Sequence, residues 1–469
     1  MSREDVNDCI CYDVMNIYEA IYVLTINSNR LKKIVWIATI FYFGTTLLIG
    51  DFSNNHALAA VLNNLRPQIT SFSASSPYVG EKPMLTWSVF PGAVSYEIEF
   101  LVDILENSKE VASSQKWLFA AGSYTNGYNA NLSAFTGKRI YWRVRPLDYD
   151  RNPLGEYSDA AELYVDPSLQ VPIKPLLNAV FNADGMATPL YPAYAWIGVN
   201  GAAKHEVEIT RRLPENPNGT EPSRYRIWSK QVDSSFDCYD DVARLDPGVY
   251  YWRVRAIDDK GDPVGVYSDV GTFTVDWGKG AYSATIGDSI THGGGGVSYP
   301  PCSWEYSYQT YLNFPTVNLG RSADTAEMTL ARFDEDVLPF HPRYLIILTG
   351  SNSLRAGTSP EEVIADLGDI RDKCIANDIR PIFLTLPPIN PASIKKVFDE
   401  ETVDGWRQAF DVVNEFIRQQ AYYIDIEPPL NDAQRMLPLS YGVDGLHPDA
   451  SAKRIMGNII NANWERVTR

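Results

Sequence analysis

The chain of 469 residues is long enough for about three domains, and its hydrophobic fraction of 45% is that of a folded protein rather than a disordered one. A net charge of −17 argues against nucleic acid or anionic lipid as the partner and fits a neutral substrate. The five cysteines, Cys9, Cys11, Cys238, Cys302 and Cys374, contain no Cys-x-x-Cys pair and no Cys/His cluster at metal spacing. Neither zinc nor a disulfide framework is therefore expected, and Cys302–Cys374 is the one pairing left open.

At the start, Arg30, Lys32 and Lys33 precede an uncharged apolar run at 34–50, followed by Ala57-Leu58-Ala59. A basic flank, an apolar stretch and a small-residue site describe an export signal over residues 1–59 cleaved after Ala59, which predicts a secreted or cell-surface protein. The run is also just long enough to remain as an uncleaved membrane tether. A translation start at Met15 or beyond would shorten the unusually long leader.

Sliding the chain over itself by about 110 positions reveals an internal repeat. Leu85-Thr86-Trp87 and Tyr96-Glu97-Ile98-Glu99 correspond to Tyr194-Ala195-Trp196 and His205-Glu206-Val207-Glu208. Tyr141-Trp142-Arg143-Val144-Arg145 then matches Tyr251-Trp252-Arg253-Val254-Arg255, and Gly155-Glu156-Tyr157-Ser158-Asp159 matches Gly265-Val266-Tyr267-Ser268-Asp269. The period of two predicts half-buried strands, about a hundred residues of which make a two-sheet β-sandwich, with Trp87 and Trp196 as core plugs. The spacing of these strands resembles fibronectin type III modules, here at 68–166 and 171–276. What the resemblance implies is a spacer or a glycan- or partner-binding role. Residues 167–175 (PSLQVPIKP) read as a stiff linker between the copies.

From residue 278 to 469 the rhythm changes to strand then helix. Strands are predicted at 282–286, 316–319, 344–349, 381–386 and 422–426. Helices are predicted at 305–312, 326–337, 360–377, 403–419 and 452–466. Such alternation predicts an α/β domain with a parallel sheet covered on both faces, whose ligand sits beyond the carboxyl ends of the strands. Ser289, Gly320 and Asn352 each follow a strand on that rim.

A serine hydroxyl becomes a nucleophile when a neighbouring base takes its proton, most often a histidine oriented by a carboxylate. Of five histidines, His56 lies in the leader and His205 in the second repeat. His292 is too near Ser289 in sequence, and His341 precedes a strand. His447 has the best setting, three residues after Asp444. Oxyanion donors are expected from the Ser289 N–H, from Gly320 (where a glycine would let substrate approach the main chain) and from the Asn352 amide. Asp288 is expected to bond the turn that aims the serine. Trp304, Tyr306 and Tyr308 either line the pocket or, for the two tyrosines, belong to a packed helix face.

Four blocks carry a further resemblance: Gly287-Asp288-Ser289-Ile290, Gly320, Gly350-Ser351-Asn352 and Asp444-Gly445-Leu446-His447. In this order they resemble the SGNH (GDSL) hydrolases. The resemblance implies a three-layer α/β/α fold and a serine esterase without cofactor. It implies Ser289 as nucleophile, His447 as base, Asp444 as its partner, and Ser289, Gly320 and Asn352 as the oxyanion hole. One departure is Ser353, where the family often has aspartate, which implies a looser hold on the Asn352 loop. Gly293–Gly296 is not a P-loop, since no Gly-Lys-Ser/Thr follows, and no Gly-x-Ser-x-Gly pentapeptide accompanies His292-Gly293-Gly294-Gly295.

The expected reaction is removal of a short acyl group, chiefly acetyl, from an extracellular carbohydrate. A lipase or thioesterase activity is the second expectation, and a surface adhesion protein without turnover the third. No cofactor, metal or nucleic acid is expected, and the oligomeric state is left open.

Overall fold

The computed structural model describes residues 66–72, 76–102, 117–179, 181–182, 186–277, 281–296 and 299–469. Residues 66–469 form one compact unit, and the export signal or tether expected at 1–59 lies outside the described residues.

The first repeat holds β1 (Tyr78–Val79), β2 (Met84–Thr86), β3 (Ser95–Leu101), β4 (Trp117–Ser123), β5 (Gly127–Asn129), β6 (Arg139–Leu147) and β7 (Ala161–Val165). One sheet has the order β1-β7-β6-β3-β4, and β2 pairs with β5 in a second. The alternation along β3 sends Tyr96, Ile98 and Phe100 inward against Trp87 and Trp142, both fully buried with ring centroids 6.2 Å apart.

The second repeat holds β8 (Leu176–Leu177), β9 (Ala193–Ile197), β10 (Lys204–Thr210), β11 (Arg226–Val232), β12 (Asp237–Tyr239), β13 (Gly248–Ile257), β14 (Pro263–Val264) and β15 (Gly271–Val275). Here β11-β10-β13-β14, with β15 also on β13, forms one sheet and β12-β9-β8 another. Trp196 is fully buried.

The repeated motifs have one physical meaning in both copies. Arg143 and Arg145 pair with Glu99 and Glu97 on the neighbouring strand and lie 3.9 and 4.6 Å from the centre of the Tyr157 ring. Arg253 and Arg255 pair with Glu208 and Glu206 and lie 3.8 and 5.3 Å from the centre of the Tyr267 ring. Ser158 and Ser268 each accept the main-chain N–H of the valine between the two arginines, at 3.1 and 3.0 Å. The Tyr-Ser pair thus folds the following loop over the charged face of its own sheet.

The third region holds β16 (Ser283–Gly287), β17 (Thr316–Gly320), β18 (Tyr344–Leu348), β19 (Arg380–Leu384) and β20 (Tyr423–Ile424), all parallel, in the order β17-β16-β18-β19-β20. Every residue of β16 and β18 is buried, as befits parallel strands covered on both faces. The order reverses at β16, so the crevice beyond the carboxyl end of that strand is where a ligand is expected. Eight helices accompany the sheet among the described residues: α1 (Ser289–His292), α2 (Ala326–Ala331), α3 (Phe333–Asp336), α4 (Ser351–Arg355), α5 (Pro360–Ala376), α6 (Pro391–Phe398), α7 (Trp406–Arg418) and α8 (Ala450–Thr468).

All five predicted strands are found with ends shifted by two residues or fewer. The helix expected at 305–312 is instead two 3-10 turns, Trp304–Tyr306 and Tyr308–Tyr311, interrupted at the extended Ser307, whose hydroxyl bonds to the Gln309 side chain. The helix expected at 326–337 breaks at Arg332, whose guanidinium turns inward to Asp324 and Asp336. The pairing left open between Cys302 and Cys374 is not formed, and Cys238, Cys302 and Cys374 are all free.

The second repeat is fastened to the third region. Leu190 and Tyr191 are buried in the core of the parallel sheet, and the Leu190 N–H donates to Asn318 O of the edge strand β17 at 2.9 Å. A strand edge that would otherwise invite pairing is thereby covered. The first repeat also reaches the third region, since the Tyr299 hydroxyl donates to Ala93 O at 2.9 Å and that of Tyr149 to Lys396 O at 3.0 Å.

Candidate active site

Asp288 ends the turn after β16 and caps α1, accepting the Ile290 N–H at 3.0 Å. Ser289 is consequently the first residue of α1. Burial pushes the Asp288 carboxyl up to about 6, against the opposing pull of the Ile290 N–H, His447 and Lys453. This is the turn-forming role expected of it.

At the other end of the chain, Asp444, Gly445, Leu446 and His447 make a tight turn before α8. Gly445 has φ +77°, and a Cβ there would lie 2.4 Å from Asn390 O, so the turn closes against the start of α6. Asp444 is fully buried. Its Oδ1 accepts the N–H groups of Leu446 and His447, both at 2.8 Å, and its Oδ2 lies 2.7 Å from His447 Nδ1. Burial pushes the carboxyl up, but His447 and these N–H groups together hold it below the usual carboxylate value. His447 Nε2 is 2.8 Å from Ser289 Oγ. The structure therefore brings Ser289, His447 and Asp444 into one hydrogen-bonded line.

The three expected oxyanion donors differ. The Ser289 N–H is a first-turn donor of α1, with no acceptor among the described residues. Asn352, on α4, spends one amide hydrogen on Asp324 O at 2.9 Å, while its Oδ1 accepts from Arg355 Nε at 3.2 Å. The second amide hydrogen remains. The Gly320 N–H instead donates to Asn318 Oδ1 at 2.9 Å. A Cβ on Gly320 would lie 2.3 Å from the His292 N and 2.6 Å from its Cα. On the side where a Cβ would lie, the space beside Gly320 is thus filled by α1. Ser353 does not leave its loop loose either. Its hydroxyl accepts the Ala326 N–H at 3.0 Å and ties α4 to α2.

Residues without a motif complete the surroundings. Lys453, fully buried on α8, donates to Ile290 O. A four-residue helix can pair few of its carbonyls within itself, so this bond helps fasten the helix that bears Ser289. Burial pulls the Lys453 amine down to about 7, with Asp288 and Asp444 opposing that shift. Phe398, at the end of α6, sets its ring edge-on to His447 with centroids 6.2 Å apart. Neither residue carries a sequence signal, since lysine in a first helical turn and phenylalanine at a helix end are ordinary.

Of the aromatic candidates, Tyr306 and Tyr308 are buried, and Tyr306 stacks on Tyr299 with centroids 4.3 Å apart. Trp304 lines a cavity of about 760 Å³ with Tyr282, Phe314 and Thr316 that includes none of Ser289, Asn352 or His447. It lies towards the amino ends of β16 and β17, away from the serine.

His341 ends a 3-10 turn ahead of β18. His292 is buried, with Nε2 2.6 Å from Tyr191 O and Nδ1 accepting the Ser322 N–H at 3.2 Å. Burial pulls its pKa from 6.5 down to about 4. Below pH 6.5 the unfolded chain takes up a proton that the folded chain refuses until about pH 4. The stability due to a neutral His292 is therefore complete above pH 6.5 and lost as the pH falls towards 4. In a His292→Gln variant that term is absent. The wild-type lead in stability should shrink by about 1.4 kcal/mol per pH unit across this window, read from urea unfolding at several pH values. A lead independent of pH would show the folded ring to be charged.

Residues 285–455 match the GDSL-like Lipase/Acylhydrolase family. Among solved structures, a GDSL-like lipase from Bacteroides thetaiotaomicron is 19% identical, with 39% of this chain and 87% of that one covered at a TM-score of 0.33. An acetylxylan esterase from Geobacillus stearothermophilus is 19% identical, with 39% of this chain and 94% of that one covered at a TM-score of 0.31. Among curated proteins, none matches the chain.

Proposed function

We propose, for a chain whose residues 285–455 form a GDSL-like domain of an ester-hydrolysing serine hydrolase, that the substrate is a short acyl ester, chiefly acetyl, on a carbohydrate outside the cell. Ser289 is the nucleophile, His447 the base and Asp444 its orienting partner. The observation that carries this reading is the unbroken line Asp444 Oδ2–His447 Nδ1, His447 Nε2–Ser289 Oγ, at 2.7 and 2.8 Å.

In this reading Ser289 Oγ attacks the ester carbonyl while His447 Nε2 takes its proton. Negative charge then develops on the carbonyl oxygen, facing the Ser289 N–H and the second amide hydrogen of Asn352. Gly320 joins them only if its N–H leaves Asn318. His447 returns the proton to the departing alcohol oxygen, and the same steps with water release the acid and restore the serine.

The carbohydrate rests on the export signal expected in residues 1–59 and on the two β units, read as fibronectin type III-like modules able to hold a polymer. Acetate release from a panel of acetylated polysaccharides, beside rates on p-nitrophenyl acetate and laurate, tests it. Acetate release with the short ester turned over faster is expected. Preference for laurate without acetate release would move the substrate to lipids.

A further inference from the structure

We infer that Tyr191, carried by the second β unit, is a positioning residue for the oxyanion side of the Ser289 site. The inference rests on the reading of Ser289 as nucleophile and Asn352 as oxyanion donor. Tyr191 lies just ahead of β9, is 5% exposed, and belongs to the core of the parallel sheet rather than to its own sandwich.

Two sets of contacts run from it to the two sides of the site. The first uses its main chain. His292 Nδ1 accepts the Ser322 N–H, so the ring hydrogen is on Nε2 and is donated to Tyr191 O at 2.6 Å. His292 is the last residue of α1, whose first residue is Ser289. The end of the nucleophile helix is therefore anchored to the second β unit.

The second set uses the side chain. The Tyr191 hydroxyl donates to Asp336, 2.9 Å from Oδ2 and 3.1 Å from Oδ1. Asp336 and Asp324 flank one guanidinium: Arg332 Nη1 lies 2.7 Å from Asp336 Oδ2, and Arg332 Nε lies 2.5 Å from Asp324 Oδ2. The same guanidinium donates to Leu319 O at 2.7 Å and to Gly287 O at 3.1 Å, the carbonyls preceding Gly320 and Asp288. Asp324 O in turn accepts the amide of Asn352. Two buried carboxylates share Arg332, and the tyrosine hydroxyl supplies the extra donor that lets Asp336 share it. Without that donor Asp336 draws more strongly on Arg332, and the hold on Asp324, and through it on Asn352, weakens.

A merely structural tyrosine would lower the fraction of folded enzyme and leave each folded site as fast as before. The test therefore counts competent sites with a fluorophosphonate probe and expresses kcat for p-nitrophenyl acetate per labelled Ser289. Tyr191→Phe keeps the ring and the carbonyl and loses only the hydroxyl. A five- to tenfold fall in kcat, with KM within twofold of wild type, is expected. Asp336→Asn should show the same pattern, and the double variant should lose no more than either alone. Unchanged kcat per labelled site in both single variants, or a loss confined to the labelled fraction, would overturn the inference. Failure of the wild type to react with the probe would instead overturn the serine reading beneath it.

Discussion

Ser289→Ala is expected to lower kcat/KM for p-nitrophenyl acetate by at least about 10⁴-fold, because it removes the atom that forms the acyl-enzyme. Its own helix offers no substitute. The other hydroxyl on α1, Thr291, is buried and lies 3.4 Å from Leu348 O. Asp444→Asn should approach the same loss by another route. Asp444 accepts three N–H groups through two oxygens, whereas an asparagine offers one oxygen and turns an NH₂ towards at least one donor. The imidazole then loses the partner that fixes its tautomer. Since the three residues act as a unit, the double variant should be no slower than Ser289→Ala alone. Steady-state rates and fluorophosphonate labelling of the purified variants measure both. Activity within tenfold of wild type in Ser289→Ala would remove the serine from the reaction.

The line from Asp444 to Ser289 could be anticipated because each of its residues sits in a short local motif, and the strand-helix rhythm puts those motifs on one rim. The five strands were legible for a similar reason: parallel strands buried on both faces read as brief apolar runs bounded by turns. Helices such as Ser289–His292 and Ser351–Arg355 were not, since four or five residues complete too little of a helical period to show one. The break at Arg332 was hidden as well. An arginine favours helix locally, and no local pattern shows that Asp324, Asp336 and the carbonyls of Leu319 and Gly287 together draw it inward. Tyr191 and Lys453 were hidden for the same cause. Their partners lie 101 or more residues away in the chain, and no local pattern marks a contact of that range.

Gly320→Ala separates two accounts of one glycine. If the position is kept bare so that a substrate can approach, a methyl group there touches no protein, and stability stays at the wild-type value while KM rises. If the bareness admits α1, the methyl meets main-chain atoms of His292 at 2.3 and 2.6 Å and must push them away. Main chain cannot rotate aside as a side chain can. The helix that carries Ser289 then shifts by several tenths of an ångström or more, with two consequences. Stability should fall by about 1–3 kcal/mol, as for other over-filled interiors. The alignment of Ser289 with His447 should suffer too, and a displacement near 1 Å can cost about 10²-fold in rate. Urea unfolding and kcat per labelled serine, measured on the same preparation, should therefore fall together. A fully stable Gly320→Ala enzyme with a raised KM alone would return this glycine to the substrate. It would also imply that the bond between its N–H and Asn318 opens when substrate binds.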